Sequence, residues 1–234
     1  IRTGLALVPM VAVMMIFSPL SGSMVNKLGP RRLISFGMIV TGIGGLLMTR
    51  AGVDASYMDI VPGFVVMGLG MSFIWAPMTT AMLNSVDQSK SGVASAINGA
   101  IREIGTAFGI ALLGTIANRT YQEQFADSAE IQNLKSAGNP DVNSVVDFIG
   151  SGASFGGNFV LSLPGVEQLG DAVDVINRES GEAFVAGMER AFVIGSVALI
   201  VASFVSYMLI SDDAVQVPVS ETDVNPEPVP TAAD

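Results

Sequence analysis

Residues 60–86 read IVPGFVVMGLGMSFIWAPMTTAMLNSV, twenty-seven positions without one charged side chain. As a helix rising ~1.5 Å per residue, this run exceeds the ~30 Å hydrocarbon core of a bilayer, which needs roughly 20 mostly apolar residues. Buried helices of soluble proteins seldom pass about 18 apolar positions in a row. Working outward, residues 3–26 form a second charge-free interval of 24 positions, 33–49 one of 17, and 191–211 one of 21. Residues 91–118 would be a fifth, interrupted only by the adjacent Arg102 and Glu103. The fold class expected is therefore an all-α membrane protein. It has five transmembrane helices, at about 4–25, 33–50, 60–84 and 91–118, then 191–211.

Composition agrees. Half of the residues are hydrophobic and 14% are charged, against about a quarter charged in soluble domains. With no His and no Cys, imidazole bases, thiol nucleophiles, disulfides and most zinc, haem or iron–sulfur sites are excluded. The spans show no nucleophile–base pair, so an enzyme is not expected. The net charge of −10 is unevenly placed. Residues 1–118 carry net +3, residues 119–190 net −7 and residues 212–234 net −6. Lys27, Arg31, Arg32 and Lys90 fall in turns on one side and Arg50 in a short turn on the other, which puts Lys27–Arg32 in the cytoplasm. Segment 119–190 is then extracytoplasmic and the tail is inside. Ile1 rather than Met opens the chain, as in a piece of a longer protein, and no basic leader or cleavage site precedes the first span.

Lipid gives helices no hydrophobic reason to associate, so small residues must supply close packing. The second span offers Gly37, Thr41, Gly44 and Gly45, and the third Gly63, Gly68 and Gly70. The fourth offers Gly105, Gly109 and Gly114, with Ser95, Asn98, Arg102 and Thr106 along one face. Such stripes serve as packing surfaces or line a cavity. Pro77 removes a backbone donor, giving a static kink or a hinge. Trp75, Phe73, Met71 and Met78 share helical spacing; they line a substrate path or face lipid and core.

The tightest local signal is Ser21-Gly22-Ser23-Met24-Val25-Asn26-Lys27-Leu28-Gly29-Pro30-Arg31-Arg32. Two antiparallel helices joined by so short a link must turn sharply. Gly29 accommodates positive φ, Pro30 is pre-set to start the next helix, and Gly22 lets a neighbouring backbone approach. Lys27, Arg31 and Arg32 can pair with headgroup phosphates or with carboxylates. This run resembles the second-half copy of the Gly-x-x-x-Asp-Arg/Lys-x-Gly loop of the major facilitator superfamily. Thr3–Met10 with Ser18-Pro19-Leu20 resembles the preceding helix in its fourteen-span drug:proton antiporters, the EmrB/QacA type. Gly68–Met71 with Ala76-Pro77-Met78-Thr79, and Gly92–Gly105 with Gly109, resemble two later helices. The resemblance covers residues 3–118, and 183–211 by character. One departure is Asn26 where the family loop usually has Asp. Asn cannot hold a fixed ion pair, which leaves this loop a positional, turn-forming role.

The resemblance implies the last five of fourteen helices, most of a C-terminal six-helix half. Its function would be proton-coupled efflux of multidrug type by alternating access, with no cofactor beyond a proton gradient. The partners implied are the lipid bilayer, the N-terminal half of the same transporter and a small amphipathic substrate, and no nucleic acid. Export of a single metabolite or lipid, and a non-transporting scaffold or receptor on the same bundle, are the alternatives.

Arg102 would lie ~16 Å along a helix beginning at Ser91, near the bilayer midplane. A charge there costs ~2.5–3.5 kcal/mol on insertion scales and faces protein or an aqueous cavity. Arg102 then attracts an anionic group, with Asn98 one turn earlier, or forms a helix–helix clasp. Glu103, about 100° around the helix, is a proton site or the partner of another helix. Segment 119–190 is polar, then Gly-rich over Gly150–Gly157, then apolar at helical spacing from Val166. It is expected to hold one or two amphipathic helices on the outer membrane surface or over the vestibule, as a lid or an adaptable insertion. The tail 212–234, with four Pro and six acids, is expected to be disordered.

Overall fold

The computed structural model describes residues 2–53, 55–84, 86–152, 161 and 169–210. The expected disorder of the tail lies outside these residues. The first span is a short α1 (Arg2–Ala6) followed by α2 (Val8–Leu28). Gly29 then turns the chain with φ 78°, its N–H donating to the Val25 carbonyl at 2.9 Å, and the buried Pro30 opens α3 (Pro30–Met48). One residue thus separates two antiparallel helices, as the Gly-Pro pair predicts. Next come α4 (Tyr57–Asn84), a 3-10 turn at Gln88–Lys90, and α5 (Ser91–Asp127). Two short helices, α6 (Ala129–Ser136) and α7 (Pro140–Gly150), precede α8 (Ala172–Leu209). Five helices, α2, α3, α4, α5 and α8, are long and apolar enough to cross a membrane. The molecule is an all-α membrane bundle.

The spans pack as a row rather than in chain order. α3 lies between α4 and α8, α2 covers the other flank of α4, and α5 packs on α8 with a lighter contact to α4. Small residues set these approaches. A Cβ on Gly37 would sit 2.7 Å from the Gly70 carbonyl oxygen, and one on Gly44 2.6 Å from the Met67 nitrogen, so α3 and α4 touch backbone to backbone. Gly68 meets the Met10 carbonyl of α2 in the same way. Between α3 and α8, Gly42 and Gly45 face Ser196, and the buried Ser35 and Ser203 exchange hydrogen bonds. The Ser35 hydroxyl donates to the Ser203 carbonyl at 3.2 Å, and the Ser203 hydroxyl donates to the Ser35 carbonyl at 2.9 Å. Small side chains that carry a hydroxyl thus supply both close contact and polar adhesion where water-driven association is lacking. Val25, Leu33 and Phe73 form a core near the α2–α3 turn, with Phe36 edge-on to Phe73.

The small-residue stripe of α5 behaves otherwise. Gly105, Gly109 and Gly114 have open space around them among the described residues, and Ile104 is 70% exposed. That stripe is not a packing surface for the other helices described.

The largest departure from the sequence expectation lies beyond residue 118. Helices are found there as expected, but α5 continues to Asp127, and α8 begins at Ala172 rather than near 191. At ~1.5 Å per residue both helices are ~55 Å long, well past the membrane core. Burial sustains them through their charged stretches. Tyr121 and Phe125 of α5, Ile131 of α6, Val142, Val146 and Ile149 of α7, and Val173, Ile176 and Ala183 of α8 close into one core. Of the apolar stripe expected here, Val173 and Ile176 are buried in this core, whereas Phe184 and Met188 are exposed. Residues 153–160 and 162–168, including Val166, lie outside the described residues.

Capping fixes the short helices of this cap. Ser128 accepts from the Ile131 amide at 3.4 Å and donates to Glu179 at 2.6 Å, and Asn139 accepts from the Asp141 amide at 3.0 Å. The Tyr121 hydroxyl donates to the Ile149 carbonyl at 3.0 Å. Exposed ion pairs, Lys135–Asp147 and Arg178–Glu130, add little. Phe125→Ala is therefore expected to cost about 3 kcal/mol locally, raising amide exchange across α6 and α7 about a hundredfold while α2–α4 stay protected. Equal exchange in both proteins would mean that no such core holds the cap together.

Candidate functional site

Helices α4 and α5 run antiparallel around a tight turn. There the exposed Asp87 accepts hydrogen bonds from the Ser89 hydroxyl at 2.7 Å and amide at 2.9 Å, first the hydroxyl and then the amide holding its carboxyl below the usual range. Trp75 lies nine residues before the end of α4, and Arg102 eleven after the start of α5. At ~1.5 Å per residue both sit ~15 Å from the turn, close to the bilayer midplane.

They meet there. The Arg102 guanidinium carbon is 5.4 Å from the centre of the Trp75 ring, within cation–π range. Trp75 is the chain's single tryptophan and is 43% exposed. The Arg102 side chain is 50% exposed, and none of its N–H groups makes a hydrogen bond among the described residues. Glu103, expected to point away around the helix, instead brings Oε1 to 3.9 Å of Arg102 Nη2, at the edge of an ion pair, with 76% of its side chain exposed. Both side chains are long enough to bend toward each other across the helix surface, so their Cβ directions do not decide the outcome.

Asn98 is half-buried one turn before Arg102. Met71 is half-buried and Met78 exposed, each about one turn from Trp75 on α4. Pro77 is buried, yet α4 remains one continuous helix through it. The ring leaves the Phe73 carbonyl without its helical donor. The Thr79 and Thr80 hydroxyls donate to the Trp75 and Ala76 carbonyls, both at 3.0 Å, steadying this turn. The site is thus an indole face, a guanidinium with unused donors and a nearby carboxylate, between residues 60 and 118 where the only other charges, Asp87 and Lys90, lie in the turn.

The turn motif forms a separate constellation at the end of the bundle. Lys27 and Arg32 are exposed, and Gly22 has open space beside it among the described residues, outside which the Asn26 side chain lies. Arg31 lies over the Tyr207 ring of α8 at 4.0 Å, its Nε buried without a hydrogen bond among the described residues. Sequence reasoning gives Arg31 a phosphate or carboxylate to pair with and passes over Tyr207. One aromatic residue near the end of an apolar run carries no signal until α3 and α8 are known to be neighbours.

The family model described as Major Facilitator Superfamily matches residues 2–122, more than half of the chain. The chain belongs to the Major Facilitator Superfamily. It is 33% identical over 117 residues to the multidrug transporter protein MdtP of Bacillus subtilis, covering 50% of this chain and 22% of that protein. It is 25% identical over 204 residues to the tetracenomycin C resistance and export protein of Streptomyces glaucescens, covering 87% and 36%. The multidrug resistance protein Stp of Mycobacterium tuberculosis is 33% identical over 114 residues, covering 49% and 21%. The chain thus spans about a fifth to just over a third of the length of these curated relatives. Superfamily membership and five spans together make it a multi-pass protein of the cell membrane. The superfamily match ends inside α5, so the site at Trp75 and Arg102 falls within it, whereas most of the cap lies beyond.

Proposed function

We propose that this chain is part of a secondary active exporter that exchanges protons for small amphipathic molecules by alternating access. The observation that carries this reading is Arg102 beside Trp75 near mid-membrane, a charge whose cost is met only where it faces a protein interior or an aqueous path. The relatives named as multidrug or antibiotic exporters support export. The finer assignment is to the fourteen-span drug:proton antiporters, with these helices as most of the C-terminal half. Glu103 is then a proton site beside the substrate path, no further cofactor takes part, and the rest of the transporter supplies the opposing wall. Export of one endogenous compound is a narrower form of the same reading, supported by the relative named for tetracenomycin C.

The test is proton movement in proteoliposomes holding the intact transporter. An imposed proton gradient is expected to dissipate several-fold faster when a transported amphipathic compound is added, and Glu103→Gln is expected to remove most of that increase. Transport of that compound that leaves the gradient untouched would overturn proton exchange.

A further inference from the structure

Resting on the exporter reading above, we propose that Trp75 and Arg102 form a recognition site for planar aromatic compounds that carry an acidic group. Arg102 has a fork of N–H donors that no described residue uses, and its nearest counter-charge is a neighbour at 3.9 Å. A planar guanidinium matches the two oxygens of a carboxylate, and such pairs strengthen where water is scarce. A cationic ligand seated on Trp75 would meet the same guanidinium as a like charge a few ångströms away, whereas an acid would take the place of the exposed Glu103 carboxylate, held only at 3.9 Å. The indole supplies the second requirement. It is partly exposed beside the guanidinium, and Met71 and Met78 stand one turn to either side. Aromatic rings and thioethers together favour a flat π-system over an aliphatic chain. An aliphatic acid would use only Arg102 and a neutral polycycle only Trp75, whereas an aromatic acid uses both.

Binding of anthraquinone-2-carboxylate and of its uncharged carboxamide to the intact protein in nanodiscs, measured by equilibrium dialysis, tests this. The parent is expected to bind the acid about tenfold tighter than the amide. Arg102→Gln should abolish that preference while still binding the amide measurably, which also shows the variant folded, and Arg102→Lys should restore part of it. Trp75→Leu should weaken both ligands about tenfold. Equal binding of acid and amide to the parent, equal losses of both in Arg102→Gln, or no loss in Trp75→Leu would each overturn the proposal. The two readings fail separately: proton-linked export without acid preference leaves the exporter and removes this site, and acid-selective binding without transport does the reverse.

Discussion

Gly70→Leu is expected to prevent α3 and α4 from assembling. Even a Cβ at Gly70 would lie 2.7 Å from the Gly37 carbonyl oxygen and closer still to Thr41, whose backbone cannot move without carrying α3 with it. Adding methylenes to a packed core typically costs ~1–3 kcal/mol, and here the obstacle is backbone rather than a flexible side chain. Separating the helices also loosens the approaches at Gly37 and Gly44 that hold α3 on α4, in lipid where packing is the main adhesive. A loss well above ~3 kcal/mol follows, seen as absence of a cooperative melt of the detergent-solubilised intact protein. Gly52→Ala, with open space around the position among the described residues, should melt like the parent. A Gly70→Leu protein melting within about two degrees of the parent would show that these helices are not in contact.

Arg102→Ala is expected to reduce export roughly 30- to 100-fold at normal membrane abundance, from loss of a charge-assisted contact and a cation–π contact together worth ~2–3 kcal/mol. Arg102→Lys keeps the charge without the fork and should recover only part of the rate. Normal export per molecule with reduced protein level would instead make Arg102 a clasp between α4 and α5. The midplane placement of Arg102 rests on helix rise alone, so its depth is legible in the sequence, whereas its partner is not.

That contrast holds for the molecule as a whole. The spans follow from charge-free runs because the bilayer imposes length and apolarity on each helix separately. The α2–α3 turn follows from Gly29-Pro30 because the constraint lies in two residues. What involves two distant segments does not show. Ser35 and Ser203 are 168 residues apart, and nothing in either neighbourhood announces the other. Trp75 and Arg102 each stand out in the sequence, one as an aromatic on a Pro-containing helix and one as a membrane charge, but only the crossing of α4 and α5 joins them. The cap reads as a loop because the charges after residue 118 look like the end of a span. Tyr121, Phe125, Val173 and Ile176 continue both helices by burying one another, and that pairing is tertiary. The small-residue stripe of α5 shows the converse, since glycine spacing marks a surface able to pack without saying what packs there.

The exporter reading requires the α4–α5 site to face a water path reached from each side of the membrane in turn. Because these 234 residues contain no Cys, Asn98→Cys in the intact transporter, with any cysteine elsewhere replaced, gives a direct measurement of labelling by a membrane-impermeant maleimide. Right-side-out and inside-out vesicles should both label, a transported compound should slow the reaction, and Phe204→Cys on the exposed surface of α8 should stay unlabelled. Asn98→Cys that labels from neither side would place this face of α5 against lipid or protein and contradict a transport path along it.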